Sequence, residues 1–442
     1  MSGLRAGIAQ VDYTPALGLP LMGNFRDDYG ARGVHDPLYA KAVVLVDPAG
    51  SKVALLSVDI CVMYRSDVAM MRQHIASQAR IAPENILIAC THTHSGPSAV
   101  RFGSLPKADD GAVEAFLKKA AEAVVLADQS LEDVALEVGY SREDRLSFNR
   151  RLKCRDGQTH MNWEQLDPDF VIEPLGPVDP EVIVASVVHQ NRPQAALVSF
   201  GLHPAVLAGD NWLYSADYPG YLAEAMLRVH GDEFATLFFN GCCGNINHID
   251  YRDPTQGRGF QMTQRIGYML AVDCLEAMKT QTAVEGHQIG VSSEDVRLER
   301  LRVSEEKRKW SDGVLASAAA NPALGQEDGL PDEHFALLAL EMYERQDVDD
   351  LAEVMVMRIG DLGIVGLPGE LFCELGMQIK QRSPAEHTVV IELANGWHGY
   401  IPTRESFSQG GYEATPGSTL YAEGAGEKLV ASALAQLSNL FG

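Results

Sequence analysis

The chain predicts an α/β fold, α+β in character, in which mixed β-sheets carry a cover of helices. Three observations lead there. Short apolar runs rich in β-branched residues alternate with amphipathic stretches at helical spacing. Several of those runs are joined by tight polar turns, the mark of antiparallel hairpins. Others are apolar at every position, as a strand covered on both faces must be.

In chain order, Ala40-Lys-Ala-Val-Val-Leu-Val46 and Lys52-Val-Ala-Leu-Leu-Ser-Val58 flank the turn Asp47-Pro-Ala-Gly50 and read as a hairpin. Asp67 to Ala79 and Asp110 to Ala127 have the apolar spacing of amphipathic helices, with the buried strand Asn85-Ile-Leu-Ile-Ala-Cys90 between them. Strand-like Val182 to Val188 and Ala195 to Phe200 follow, then a helix from Tyr218 to His230 and the apolar strand Ala235 to Phe239. Residues 303–347 are polar, Ala-rich and helix-prone around the loop Asn321 to Pro331, which suggests a helical insertion or lid. Ala352 to Ile359 and Leu362 to Gly366 form another hairpin through Gly360-Asp361. No internal repeat and no low-complexity segment is visible, so residues 1–442 read as a single domain.

Composition narrows the function. The chain has 442 residues, 46% of them hydrophobic, and 36 basic against 60 acidic side chains give a net charge of −24. Nucleic acid and anionic membrane are therefore not expected partners. No apolar run is long enough to span a bilayer and no signal peptide is evident, which points to the cytoplasm. The seven cysteines are odd in number and scattered, which suits a reducing compartment; Cys242-Cys243 reads as packing.

Chemistry concentrates where apolar strands run into polar turns. The 85–90 strand ends in Thr91-His92-Thr93-His94-Ser95 before Gly96-Pro97. On extended backbone, residues i and i+2 point the same way, so His92 and His94 are expected to project together. Such a pair serves as metal ligands, as a proton shuttle, or only as hydrogen-bonded loop residues. Comparable strand ends carry His203-Pro204, the turn Asn240-Gly-Cys-Cys-Gly244-Asn245-Ile-Asn247, Pro368-Gly-Glu370, and the aromatic segment Gly396-Trp-His-Gly-Tyr-Ile-Pro-Thr403 leading to Tyr412-Glu413. Two imidazoles and a carboxylate make the His₂Glu set typical of catalytic zinc, though spacing alone does not bring them together.

These motifs, with Gly7-Ile-Ala-Gln-Val-Asp-Tyr-Thr-Pro15, Pro20-Leu-Met-Gly23, Asp36-Pro-Leu-Tyr-Ala-Lys-Ala42 and Ser418-Thr-Leu-Tyr421, resemble in their order the neutral ceramidases over nearly the whole chain. The resemblance implies the catalytic-domain fold of that family and a zinc hydrolase acting on amide bonds. It implies His92, His203, Glu370 and Tyr412 as ligands of Zn²⁺. It also implies His94 as proton shuttle, Arg150 and Tyr421 as stabilisers of the tetrahedral intermediate, and Asn247 as a hydrogen-bond donor where the family carries serine. The chain departs from the family at that serine and ends before an immunoglobulin-like domain. The expectation is a short member that cleaves a small soluble N-acyl or cyclic amide with metal-activated water. An esterase or lactonase, a ceramidase proper, and a non-catalytic zinc or ligand-binding homologue are the alternatives, and a homo-oligomer is left open.

Overall fold

The hairpins predicted from sequence are all built, and each is extended in the same way. In a computed structural model of the chain, residues 3–26, 28–100, 107–318, 326–327 and 330–442 are described. Arg5–Asp12 pairs antiparallel with Tyr39–Val46, which pairs antiparallel with Lys52–Val58. After helix Arg65–Gln78 the chain returns as Ile86–Cys90, parallel to Lys52–Val58, and helix Asp110–Asp128 follows. A second unit repeats the order with strands Ala135–Arg142, Glu181–His189 and Arg192–Phe200, helix Tyr218–His230, parallel strand Ala235–Asn240 and helix Phe260–Lys279. A third does so with Ile289–Leu298, Asp350–Ile359 and Leu362–Gly366, helix Cys373–Arg382, parallel strand His387–Ile391 and helix Ala425–Phe441.

The fold is thus mixed sheets under helical cover, as expected, but its threefold topological repeat was not read from the sequence. The reason is physical. What repeats is strand order, which the hydrophobic pattern carries only as a series of similar strands. The segments between the first and second strands of each unit, 13–38, 143–180 and 299–349, have nothing evident in common.

Period-two alternation decides which core each side chain joins. In the first hairpin Val43 and Leu45 face one way, while Ala42, Val44 and Val46 pack under the helices. Leu45 meets Leu197, Leu237, Met355 and Ile364 in one central cluster drawn from all three sheets. The helices cover the outer faces, with Phe116 and Leu117 on the first unit, Leu222 and Leu270 on the second, and Leu429 and Leu437 on the third. Full burial of such a side chain stabilises by roughly 1.5–3 kcal/mol, so the shared cluster is what binds the sheets face to face. A buried bidentate pair, Arg72 to Glu353 at 2.9 Å for each bond, adds a tie between the first and third units.

The carboxyl ends of the parallel strands meet. The Asn240 side-chain amide donates to Thr91 O (2.9 Å), Glu392 N donates to Asn240 O (3.0 Å), and Cys90 N donates to Leu393 O (3.2 Å). Loops leaving these ends therefore converge on one point, the usual place for a site in sheets of this kind. The three inter-strand segments close over it. In the third of them, helices Glu305–Ala318 and Asp332–Arg345 pack on one another, and most of the expected loop 321–331 lies outside the described residues. No helix among the described residues is long and apolar enough to cross a membrane. All seven cysteines are buried and unpaired with one another.

Candidate metal centre

Each unit sends one donor to the convergence point. From the first comes His92, two residues beyond the strand end. Its φ of 71° is left-handed, so the extended alternation expected for His92 and His94 does not hold. The left-handed residue turns the chain instead, and the rings still meet at 4.8 Å between centroids. His92 N donates to Ile60 O (2.9 Å), and its Nδ1 lies 2.8 Å from Cys61 O. From the second unit comes His203, whose Nδ1 lies 2.9 Å from Cys243 O. A carbonyl can only accept, so both rings carry their proton on Nδ1 and present Nε2 inward. From the third unit comes Glu370, on the short strand Glu370–Leu371, with Oε1 receiving the Trp397 indole N–H at 2.8 Å. Its Oε2 faces His203 Nε2 at 3.2 Å and His92 Nε2 at 3.4 Å.

These side chains are 2%, 1% and 3% exposed. Glu370 Oε2 and His203 Nε2 are buried without a hydrogen-bond partner, a costly arrangement unless something between them satisfies both. The donor atoms all lie within 4.8 Å of one another. A compact His₂Glu set with its second nitrogens pinned by carbonyls fits a divalent metal ion. Burial raises the Glu370 carboxyl, but the two imidazoles outweigh it and hold it well below its ordinary value. Glu370 favours the charged form of both imidazoles, but burial and Arg150 bring His203 down to about 4, whereas Cys61 and Glu370 lift His92 against its burial.

The other expected residues fall into three groups. His94, Arg150 and Tyr412 surround the donor set. His94 Nε2 is 3.3 Å from His92 Nε2, its Nδ1 is buried without a partner, and burial with the neighbouring imidazoles keeps it well below its usual value. Arg150 gives Nε to Glu413 Oε1 (2.6 Å), lies 5.1 Å over the Tyr400 ring, and leaves Nη2 buried and unpartnered. Tyr412 opens a short 3₁₀ turn, and burial with the charge of Glu370 pushes its phenol up to about 12. Asn247 is nearby but committed, since its amide and that of Asn162 exchange two hydrogen bonds of 2.7 Å. Tyr421 lies apart. Leu420 takes the wall of the central cavity and Tyr421, one residue on, points into the next, where its hydroxyl donates to Asp350 Oδ2 (2.9 Å) and meets His398 Nδ1 (2.6 Å).

Sequence reasoning missed Cys61, Trp397, Tyr400 and Glu413. Tyr400 and Trp397 lie in the glycine-flanked aromatic segment already singled out, and that segment was the available signal. Glu413, fully buried, also binds Arg151 (3.0 Å) and so fixes two arginines at once. Cys61, counted only among the scattered cysteines, has its Sγ 3.6 Å from His92 Nδ1.

A tight cavity of about 100 Å³ lies against His92, His94, Glu370 and Tyr412, with an apolar wall that includes Met22, Val62 and Leu420. It shares His94, Tyr400 and Tyr412 with a larger cavity of about 990 Å³ that holds Arg150, Trp163 and Asn247. Donor set and cavities meet at the carboxyl ends of a threefold-repeated sheet core, an arrangement that fits a metal-binding site.

Comparison with known proteins gives the family. The neutral/alkaline non-lysosomal ceramidase family, N-terminal region, matches residues 4–244, and the chain belongs to it. Neutral ceramidase of Pseudomonas aeruginosa is 24% identical over 473 residues, spanning 94% of this chain and 69% of that protein. Neutral ceramidase A of Dictyostelium discoideum is 24% identical over 274 residues, which is 58% of this chain and 37% of the relative. The crystal structure of the Pseudomonas neutral ceramidase superposes with a TM-score of 0.77 at 21% identity, covering all of this chain and 75% of that one.

Proposed function

We propose that this chain is a zinc-dependent amidohydrolase that cleaves the C–N bond of a small soluble N-acyl amide. What carries the reading is the meeting of His92 Nε2, His203 Nε2 and Glu370 Oε2 around an unsatisfied buried centre, with Arg150 Nη2 unpartnered beside it. Family membership supports amide hydrolysis, and the His₂Glu set supports zinc over harder cations.

His92, His203 and Glu370 would hold the ion, with Tyr412 as the fourth ligand. When bound, zinc supplies Lewis acidity that lowers the pKa of water towards about 7 and polarises a carbonyl. The chain's own residues do the rest. His94, neutral and next to the donor set, takes a proton at Nε2 from the attacking water and returns it to the leaving amine. Arg150 Nη2 donates to the developing oxyanion, and its guanidinium is fixed for that task by Glu413 and Tyr400. Trp397 orients Glu370, and the carbonyls of Cys61 and Cys243 orient the two imidazoles. Asn247, held by Asn162, shapes the floor of the larger cavity and leaves nucleophilic attack to water.

Ceramide itself is the second reading, and the ceramidase relatives favour it. Against it stand Asp250, Asp253 and His248, which line the large cavity. The test is metal analysis with a hydrolysis panel of short N-acyl amides, matched esters and ceramide in detergent. Stoichiometric zinc with turnover of short amides, both lost in His92→Ala, is the expected result. Full activity in a metal-free variant overturns it.

A further inference from the structure

Beside the cavity at the donor set lies another, of about 320 Å³, sharing with it the side chains of Leu338, Trp397 and Leu420. Trp397 is the partition: its indole N–H holds Glu370, and its ring also walls the second cavity. An extended ligand that reacts at the donor set and passes this neck of apolar side chains ends in the second cavity.

That end is polar, and its groups are already ordered. Tyr421 donates to Asp350 Oδ2 (2.9 Å), so its oxygen accepts from His398 Nδ1 (2.6 Å) and His398 Nε2 is left as an acceptor. Arg300 is held by Asp350 and by Val348 O at 3.0 Å. Arg65 is spent on Asp295, outside the cavity. Arg345 differs. It lines the same cavity from the end of helix Asp332–Arg345, is exposed at the rim, and has no acidic or carbonyl partner for its guanidinium among the described residues. A hydrocarbon tail here would strand His398 Nε2, the acceptor left open, and gain no partner for Arg345. An oxyanion would meet a permanently charged, planar donor on the rim, with the carboxylate of Glu341 also lining the cavity.

We infer that this second cavity is the subsite for an anionic distal group of the substrate, so that the acyl chain passing Trp397 ends in a carboxylate at Arg345. The inference rests on the amide-hydrolase reading and narrows it from any short N-acyl amide to the half-amides of dicarboxylic acids. The neck between Leu338 and Leu420 admits the intervening methylenes, while the amine portion takes the large cavity beyond His94.

The probes are p-nitroanilides of dicarboxylic acids of four to eight carbons, each paired with the monocarboxylic anilide of equal length, on the zinc-loaded protein. At the best length the dicarboxylic half-anilide is expected to exceed its neutral partner at least tenfold in kcat/KM. Arg345→Gln should bring the two to parity through KM and leave the neutral anilide unchanged. Turnover of both at equal kcat/KM in the unaltered enzyme overturns the subsite while leaving amide hydrolysis standing. If no anilide is cleaved, calorimetry with the free acids decides: adipate should bind at least tenfold tighter than hexanoate, and only in the protein that keeps Arg345. Equal binding of the two acids overturns the inference.

Discussion

Gly244→Ala should disable the metal centre without touching a ligand. Gly244 closes the turn after Asn240, and its N–H donates to Leu371 O at 2.8 Å. A Cβ built there lies 2.4 Å from Glu370 O, 2.9 Å from Glu370 C and 3.0 Å from Leu371 C. All three are backbone atoms, so no rotamer relieves the clash. Ordinary contact begins near 3.4 Å, so the Glu370 backbone or the 241–244 turn must retreat by about 1 Å. A misplacement of that size costs on the order of 10²-fold in rate, and overpacking costs about 1–3 kcal/mol of stability. Zinc affinity by competition with a chelator, kcat/KM on a cleaved amide and the unfolding midpoint would all be read. Gly257→Ala is the control, since the nearest atom to its Cβ is Met262 Cε at 4.0 Å. Native zinc affinity, rate and midpoint in G244A would refute the claim that this turn sets the position of Glu370.

Other outcomes follow from single contacts. Trp397→Phe removes the indole donor to Glu370 Oε1 and should weaken zinc binding by about 10–100-fold, read by the same chelator competition, with the fold intact by circular dichroism. Glu413→Gln removes a buried charge that holds both Arg150 and Arg151, and denaturant unfolding should show a loss of about 3–5 kcal/mol. Asp273 titrates at about 7 because burial and the adjoining Glu143 favour its neutral form. A carboxyl raised in the folded state contributes stability at low pH that is lost as pH rises through the folded value. Stability should therefore fall as pH rises through about 7 from this group, and Asp273→Asn should flatten that slope in denaturant titrations.

Much of this site was legible because strand ends are legible. His92, His203 and Glu370 each follow an apolar run within a few residues, and strand followed by polar turn is a pattern that sequence keeps. Their convergence was not legible. It depends on three sheets meeting on one core, through pairs such as Leu45 with Leu237 and Met355, far apart in sequence. The left-handed His92 also escaped, since a β propensity says nothing of the residue at which extension stops. That Tyr421 faces the neighbouring cavity was not legible either, because its direction is set by its bridge to Arg300, far away in sequence. Trp397 and Glu413 act on other side chains, and nothing in a local pattern names their partners.

The threefold topology has a consequence for how the molecule holds together. With His92, His203 and Glu370 drawn one from each unit, an ion held by all three is a rivet through three plates. It binds tightly only while every unit is folded, so its binding free energy opposes local opening of any of them. Stripping the ion should loosen the seams between units before it loosens any unit itself. The rate at which metal escapes then becomes a clock for the fastest-opening seam in the protein.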